Sequence, residues 1–149
     1  MKISTLVVEE IARIKPLWES LNKVHHTNSN NWKKHFTDFT FEKRMESIRG
    51  SEKFSVFISI NDDDISGYCI ASINEGVGEI DSIFVKKQYR KALIGKKLVE
   101  KSIEWLESQK IHSIKVGIAE GNESVLPFYE KLGFKKSLTI LKKDGGGRW

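Results

Sequence analysis

The hydrophobic period of this chain changes from helical to strand-like near residue 53, and that change restricts the folds open to it. Between residues 7 and 25, Ile11, Ile14, Leu17, Trp18, Leu21 and Val24 recur at three- and four-residue steps, which puts them on one helical face. Pro16 falls inside the stripe, so the helix kinks there or begins later than its pattern does. HHTNSNNW (25–32) is polar and rich in turn formers, and reads as a loop. A second short helix starts near Thr40, carries Phe41, Met45 and Ile48, and stops at Gly50 as a C-cap. Beyond it, FSVFISIN (54–61), SGYCIASIN (66–74) and EIDSIFV (79–85) are runs of β-branched and aromatic residues. NDDDI and EGVG separate them, so the three form an antiparallel meander.

Helical spacing returns over residues 95–108 through Leu98, Val99, Ile103, Trp105 and Leu106. IHSIKVGIA (111–119) is a further strand, ESVLPFYEKL a short helix closed by Gly133, and FKKSLTILKK (134–143) a last strand. The tail over residues 143–149, which ends in DGGGRW, is expected to fray. This order gives a mixed α/β fold of about four helices, with an antiparallel N-terminal meander and at least one crossover. No internal repeat and no linker interrupts it, so residues 1–149 read as a single domain.

Charge narrows the ligands without choosing one. Lys and Arg number 25 against 20 Asp and Glu, a formal charge of +5. The excess suits a phosphate-rich small molecule or polyanion, and it equally suits a lysine-rich solvated surface. No basic block is long enough for a nucleic-acid arm, so no nucleic-acid partner is expected. Cys69 is the only cysteine, which excludes an internal disulfide framework and a multi-cysteine metal site. Its flanks, YCIA, mark it as a small core residue. No apolar run is long enough for a signal h-region or a membrane span, so a cytoplasmic protein with no membrane partner is the expectation.

The stretch QYRKALIGKK (88–97) joins the third meander strand to the next helix. A helix N-terminus presents unpaired N–H groups and positive potential to an anion. Arg90, Lys91, Lys96 and Lys97 add formal charge there, although cations at that end oppose the helix dipole. A pyrophosphate cradle and a plain strand-to-helix turn both fit. Downstream, in GNESVLPFYEKLGF (121–134), Ser124 can cap a helix with Pro127 at its third position. A capped amphipathic helix accounts for Ser124, Pro127, Phe128 and Gly133, but less well for Asn122 and Tyr129.

Taken together, EIDSIFVKKQYRKALIGKKLVE and NESVLPFYEKLGF resemble the GNAT superfamily of N-acetyltransferases, over roughly residues 54–142. The second motif matches closely. In the first, Arg90 and Gly95 match the family's Arg/Gln-x-x-Gly-x-Gly/Ala, while Leu93 replaces the middle glycine and Lys91 stands where glycine is frequent. The resemblance implies a twisted mixed sheet splayed into a V between its central strands, with acetyl-CoA in the V as co-substrate and no metal. It implies backbone pairing of Ile83, Phe84 and Val85 with the pantetheine arm. The amides of Lys91, Ala92, Leu93, Ile94, Gly95 and Lys96 would hold the pyrophosphate. Asn122 would contact pantetheine, and Tyr129 would protonate the departing thiolate. Backbone N–H groups do not require glycine. Leu93 is therefore expected at negative φ with its side chain in the core.

The implied reaction is acetyl transfer from acetyl-CoA to a primary amine, of a small molecule, by direct attack in a ternary complex. A protein or peptide acceptor and a non-catalytic acyl-CoA-binding module are the alternatives. Gly117 stands where some peptide-acetylating relatives have a glutamate, which weakens a protein N-terminal acceptor. Glu79 and Asp81 are the candidate bases. They alternate along one strand and share a face unless a bulge intervenes. Glu120 is a weaker candidate. His25, His26, Trp32 and Phe36 are candidate lining residues for the acceptor, or a surface cluster. The last strand offers an edge for a homodimer, with no partner edge assigned.

Overall fold

The computed structural model describes residues 1–143, apart from the side chain of Lys91. The described chain separates into two compact units, one of Met1–Glu19 with Phe41–Gly117 and one of Ser20–Thr40 with the chain from Ile118 onward.

The first unit is built on a five-stranded sheet whose spatial order, β1-β2-β3-β4-β5, is also its chain order. Strands β1 (Lys2–Leu6), β2 (Lys53–Asn61), β3 (Asp64–Asn74) and β4 (Val77–Val85) are antiparallel neighbours. β5 (Ser113–Val116) joins β4 in parallel after a helical crossover. The two hairpin turns are tight because Asp62, Asp63, Glu75 and Gly76 all take positive φ, from 50° to 75°. Turns of that hand match the twist of the strands, and short polar residues tolerate the conformation best.

β3 lies at the centre and is buried along all but its ends. One face carries Phe57, Cys69, Ala71, Ile73 and Ile80, covered by Ile94, Leu98 and Leu106 of helix α4 (Ile94–Glu107). Each of these three α4 side chains is fully buried and stabilises the unit by roughly 1.5–3 kcal/mol. The other face carries Val56, Ile58, Tyr68 and Ile70. Helix α3 (Phe41–Arg49), whose buried stripe is Phe41, Met45 and Ile48, packs over β2. Cys69 is wholly buried, and its thiol is pushed up to about 12, mainly by burial.

The second unit takes the later part of helix α1 (Lys15–Asn28), helix α2 (Lys33–Asp38) and helix α5 (Leu126–Lys131). Asn22 ties α1 to α2 by donating to the carbonyl of Phe36 at 2.8 Å.

Of the two expectations for Pro16, the later helix start is the one observed, and several other sequence expectations change. α1 starts at Lys15, after a tight 3-10 segment over Val8–Ile14, so Pro16 sits in its first turn, where a missing N–H costs nothing. β1 and α2 were not expected: one is a short polar edge strand, the other six residues with two lysines. Ser124 does not cap α5, which starts after Val125 with Pro127 in its first turn. Residues 134–143 form no strand: Leu138, Ile140 and Leu141 are 79%, 72% and 93% exposed. β-propensity describes fit to a neighbouring strand, and among the described residues none pairs with this segment. The DGGGRW tail lies outside the described residues.

Candidate functional site

β4 changes character at Asp81. Its register with β3 runs from Ala71–Ile80 to Ile70–Ser82, so Asp81 is an extra residue extruded as a bulge. Its pairing with β5 stops at the same level, at Ile80–Val116. From Asp81 to Val85 the strand is bonded to β3 on one side, and no strand covers its other edge among the described residues. An edge of this kind presents a row of amide donors and acceptors to an extended ligand. Ile83, Phe84 and Val85, the expected pantetheine segment, lie along it.

The side chain of Asp81 is largely buried and accepts from the Ser72 hydroxyl. Its Oδ2 meets no donor among the described residues. Burial is the main reason its carboxyl is pushed up, to about 6, with the Glu79 charge adding to the rise. Ser72, Arg44 and Lys115 pull the other way. The bulge that was the exception to a shared face for Glu79 and Asp81 falls at Asp81 itself, and the two differ in environment. Glu79 is more open and faces Lys115 at 3.9 Å. Tyr68 and Ser82 exchange a buried hydroxyl hydrogen bond of 2.7 Å. Arg44, from α3, donates to the carbonyl of Asp81 at 2.6 Å. Nothing in the sequence reading singled out Arg44, although its spacing from Phe41 and Ile48 puts it on the inner face of α3.

After β4 the chain makes a 3-10 segment, Lys87–Ala92, and enters α4. Arg90 folds back: its Nε donates to Val85 O at 2.9 Å and its guanidinium lies over the Phe84 ring at 5.2 Å. Leu93 overturns its expectation. It is left-handed, with φ 59°, and its side chain is 63% exposed. Ile94, the next residue, takes the core position and is fully buried. The path is the one a glycine would follow, so the residue is absent but its conformation is kept. The bond from Lys97 N to Leu93 O opens the helix. The amides of Ile94, Gly95 and Lys96 precede it and have no acceptor within the helix. That arrangement fits an anionic group.

In the second unit, Glu120 is engaged by hydrogen-bond donors. Its carboxylate accepts from the Ser29 hydroxyl at 2.9 Å and from the amides of Asn30 and Asn31, each at 2.9 Å in its shorter bond. The Asn30 and then the Asn31 amide hold its proton affinity below the ordinary carboxylate range. Gly121 has φ 93°, and a Cβ there would stand 2.2 Å from the carbonyl oxygen of Asn28. These partners lie some 90 residues away in sequence, and no motif announces them. Asn122 is half-buried at the start of the 3-10 turn before α5. Tyr129 is buried, with its ring edge-on to Phe128 and Phe134 at 5.0 and 5.6 Å.

Of the expected acceptor-lining residues, Phe36 is committed to packing. It is buried, and the rings of His25 and His35 lie 5.3 and 4.9 Å away. His25 is held more weakly basic than usual, first by burial and then by the His35 charge. Trp32 is half-buried and His26 exposed. Among the described residues, no group of three or more His, Cys, Asp or Glu side chains is placed to hold a metal.

Comparison with known proteins adds three findings. The profile described as the acetyltransferase (GNAT) family matches residues 17–134. A glucosamine 6-phosphate N-acetyltransferase of Trypanosoma brucei brucei is 39% identical over 68 residues, which are 46% of this chain and 44% of that protein. The chain thus spans less than half the length of that curated relative. Among solved structures, a tetramutant of the BH1408 protein of Bacillus halodurans is similar with a TM-score of 0.74 at 16% identity, over 97% of this chain and 99% of that one. The aminoglycoside N-acetyltransferase AAC(6')-Iy in complex with CoA is similar with a TM-score of 0.70, also at 16% identity, over 96% and 98%. At such identities the structures speak for the fold.

Proposed function

The chain belongs to the acetyltransferase (GNAT) family, and from that premise we propose that it transfers an acetyl group from acetyl-CoA to a primary amine of a small molecule. The observation that carries this reading is the coincidence of two features at Asp81. There β4 loses its β5 partner, and there a buried carboxylate has an unsatisfied oxygen. The open edge at Ile83, Phe84 and Val85 suits the amides of a pantetheine arm, and the first-turn amides of α4 suit a pyrophosphate.

The chemistry needs a neutral amine, a thioester carbonyl and a proton for the thiolate. The amine nitrogen attacks the carbonyl carbon, the C–N bond forms, and the C–S bond breaks as CoA thiolate leaves. Asp81 takes the proton that the amine sheds, and Tyr129 supplies one to the thiolate. A base of pKa about 6 is ionised at neutral pH yet still accepts a proton readily. Cys69 takes no part, because its thiol is buried and protonated. A small acceptor is favoured by the relative that acts, by its name, on glucosamine 6-phosphate, and by the aminoglycoside acetyltransferase among the solved structures. No helix among the described residues is long and apolar enough to cross a membrane, and we assign the reaction to the cytoplasm.

Thiol release from acetyl-CoA across a panel of amino sugars, polyamines and peptides tests the reading. The expected result is turnover with one or more small amines. Turnover with peptides alone reassigns the acceptor. CoA binding with no turnover on any amine makes the chain a binding module.

A further inference from the structure

We propose that Arg44 is a positioning residue for this reaction: through its bond to the carbonyl of Asp81 it aims the bulge and sets its charge beside the carboxylate that the bulge carries. The inference rests on the reading of Asp81 as the base.

Phe41, Met45 and Ile48 anchor α3 in the core, with 5%, 3% and 2% exposure. Arg44 lies on the same face, three residues after Phe41 and four before Ile48, so it is directed inward and is half-buried. An apolar residue would fill that place without the cost of desolvating a guanidinium, so the cation needs a specific partner. It has one in the Asp81 carbonyl, at 2.6 Å. A bulge is a local break in the ladder, and a short charge-assisted bond to its own carbonyl fixes where its side chain points.

The surroundings are polar where a sheet face is ordinarily apolar. Tyr68 and Ser82 form a buried hydroxyl pair, and Ser72 donates to the Asp81 carboxyl. Arg44 acts electrostatically on Tyr68 as well as on Asp81, which locates its charge over this polar floor. The groups facing Asp81 are therefore Glu79 on its own strand, Ser72 on β3, Lys115 on β5 and Arg44 on α3. Burial and Glu79 favour the protonated acid, and Arg44 and Lys115 oppose them. Lys115 is exposed and also faces Glu79, so solvent and that pairing weaken its hold. Arg44 is the half-buried cation, and it alone also touches the bulge backbone.

The test is the pH dependence of kcat/KM at saturating acetyl-CoA, with one amine throughout so that its own titration is common to every variant. Wild type, Arg44→Gln, Arg44→Lys and Asp81→Asn are compared. Arg44→Gln removes the charge and, being shorter, the 2.6 Å bond as well, but it keeps a polar side chain at this half-buried place, so it is expected to fold. It should move the acid limb of the wild type upward, by at most about one pH unit. Arg44→Lys keeps the charge but not the planar donor, so the limb should stay in place while kcat falls. Carboxyl-carbon NMR titration of Asp81 in the same variants reads the same shift without turnover. An unmoved limb and an unmoved Asp81 titration in Arg44→Gln overturn the role of Arg44 and leave the base standing. An acid limb that persists in Asp81→Asn overturns the base and the inference together.

Discussion

Ile80 and Val116 are the last partners that β4 and β5 share. One residue later Asp81 leaves the ladder, so the parting of the strands and the extruded carboxylate occur at one level of the sheet.

Asp81→Asn should stabilise the fold at neutral pH and abolish turnover. The folded-state pKa of Asp81 is raised from 3.8 to about 6. The folded protein therefore holds this proton more tightly than the unfolded chain does. Stability from this group is greatest below the unfolded value and declines as pH rises through about 6. The penalty at pH 7.5 is on the order of 2–3 kcal/mol by linkage. Thermal melts should show the variant more stable than wild type at pH 7.5, with the difference vanishing near pH 4. A destabilised variant at pH 7.5 would contradict this environment for Asp81.

Leu93→Gly should stabilise by about 1 kcal/mol, as the cost of left-handed leucine is removed and the greater entropy of unfolded glycine partly offsets it. The side chain is 63% exposed, so little core packing is lost. CoA affinity by calorimetry should stay within about twofold, because the backbone already follows the glycine path. Much tighter binding would mean that the leucine side chain obstructs the ligand.

Glu120→Gln should loosen residues 29–31 and leave the pH optimum in place. The carboxylate gathers one hydroxyl and two amides. Hydrogen exchange at Asn30 and Asn31 should accelerate by about tenfold, given charge-assisted bonds of ordinary strength at an open site. A change in the pH–rate profile with unchanged exchange would instead make Glu120 a proton carrier.

Tyr129→Phe should lower kcat by about 10²-fold or more while CoA affinity holds, if the phenol is the acid. The ring packs against Phe128 and Phe134, and phenylalanine preserves that packing, so loss of fold is not expected. Unchanged turnover would reject the role.

What could be read in advance follows from what side-chain patterns encode. The meander was legible because alternation and the turns NDDDI and EGVG mark strands and their ends. α4 was legible because Leu98, Val99 and Leu106 keep helical spacing. β1 escaped notice because KISTL carries little apolar content in five residues. The segment 134–143 was misread because its β-branched residues indicate fit to a neighbour that it lacks. Leu93 was misjudged because a hydrophobic stripe reports which side chain is buried, not the sign of φ, and Ile94 held the core position. Glu120 could not be placed because its partners are chiefly backbone amides, which every residue carries. Spacing could name Glu79 and Asp81 only as candidates; burial separates them, and burial is a property of the fold.

The central claim is that the open edge of β4 and the first turn of α4 receive the CoA moiety. Titrating CoA into isotopically labelled protein and following backbone amide shifts tests it most directly. The account predicts saturable shifts clustered at Ser82–Val85 and Ile94–Lys96. Shifts confined to other segments, or none at millimolar CoA, would contradict it.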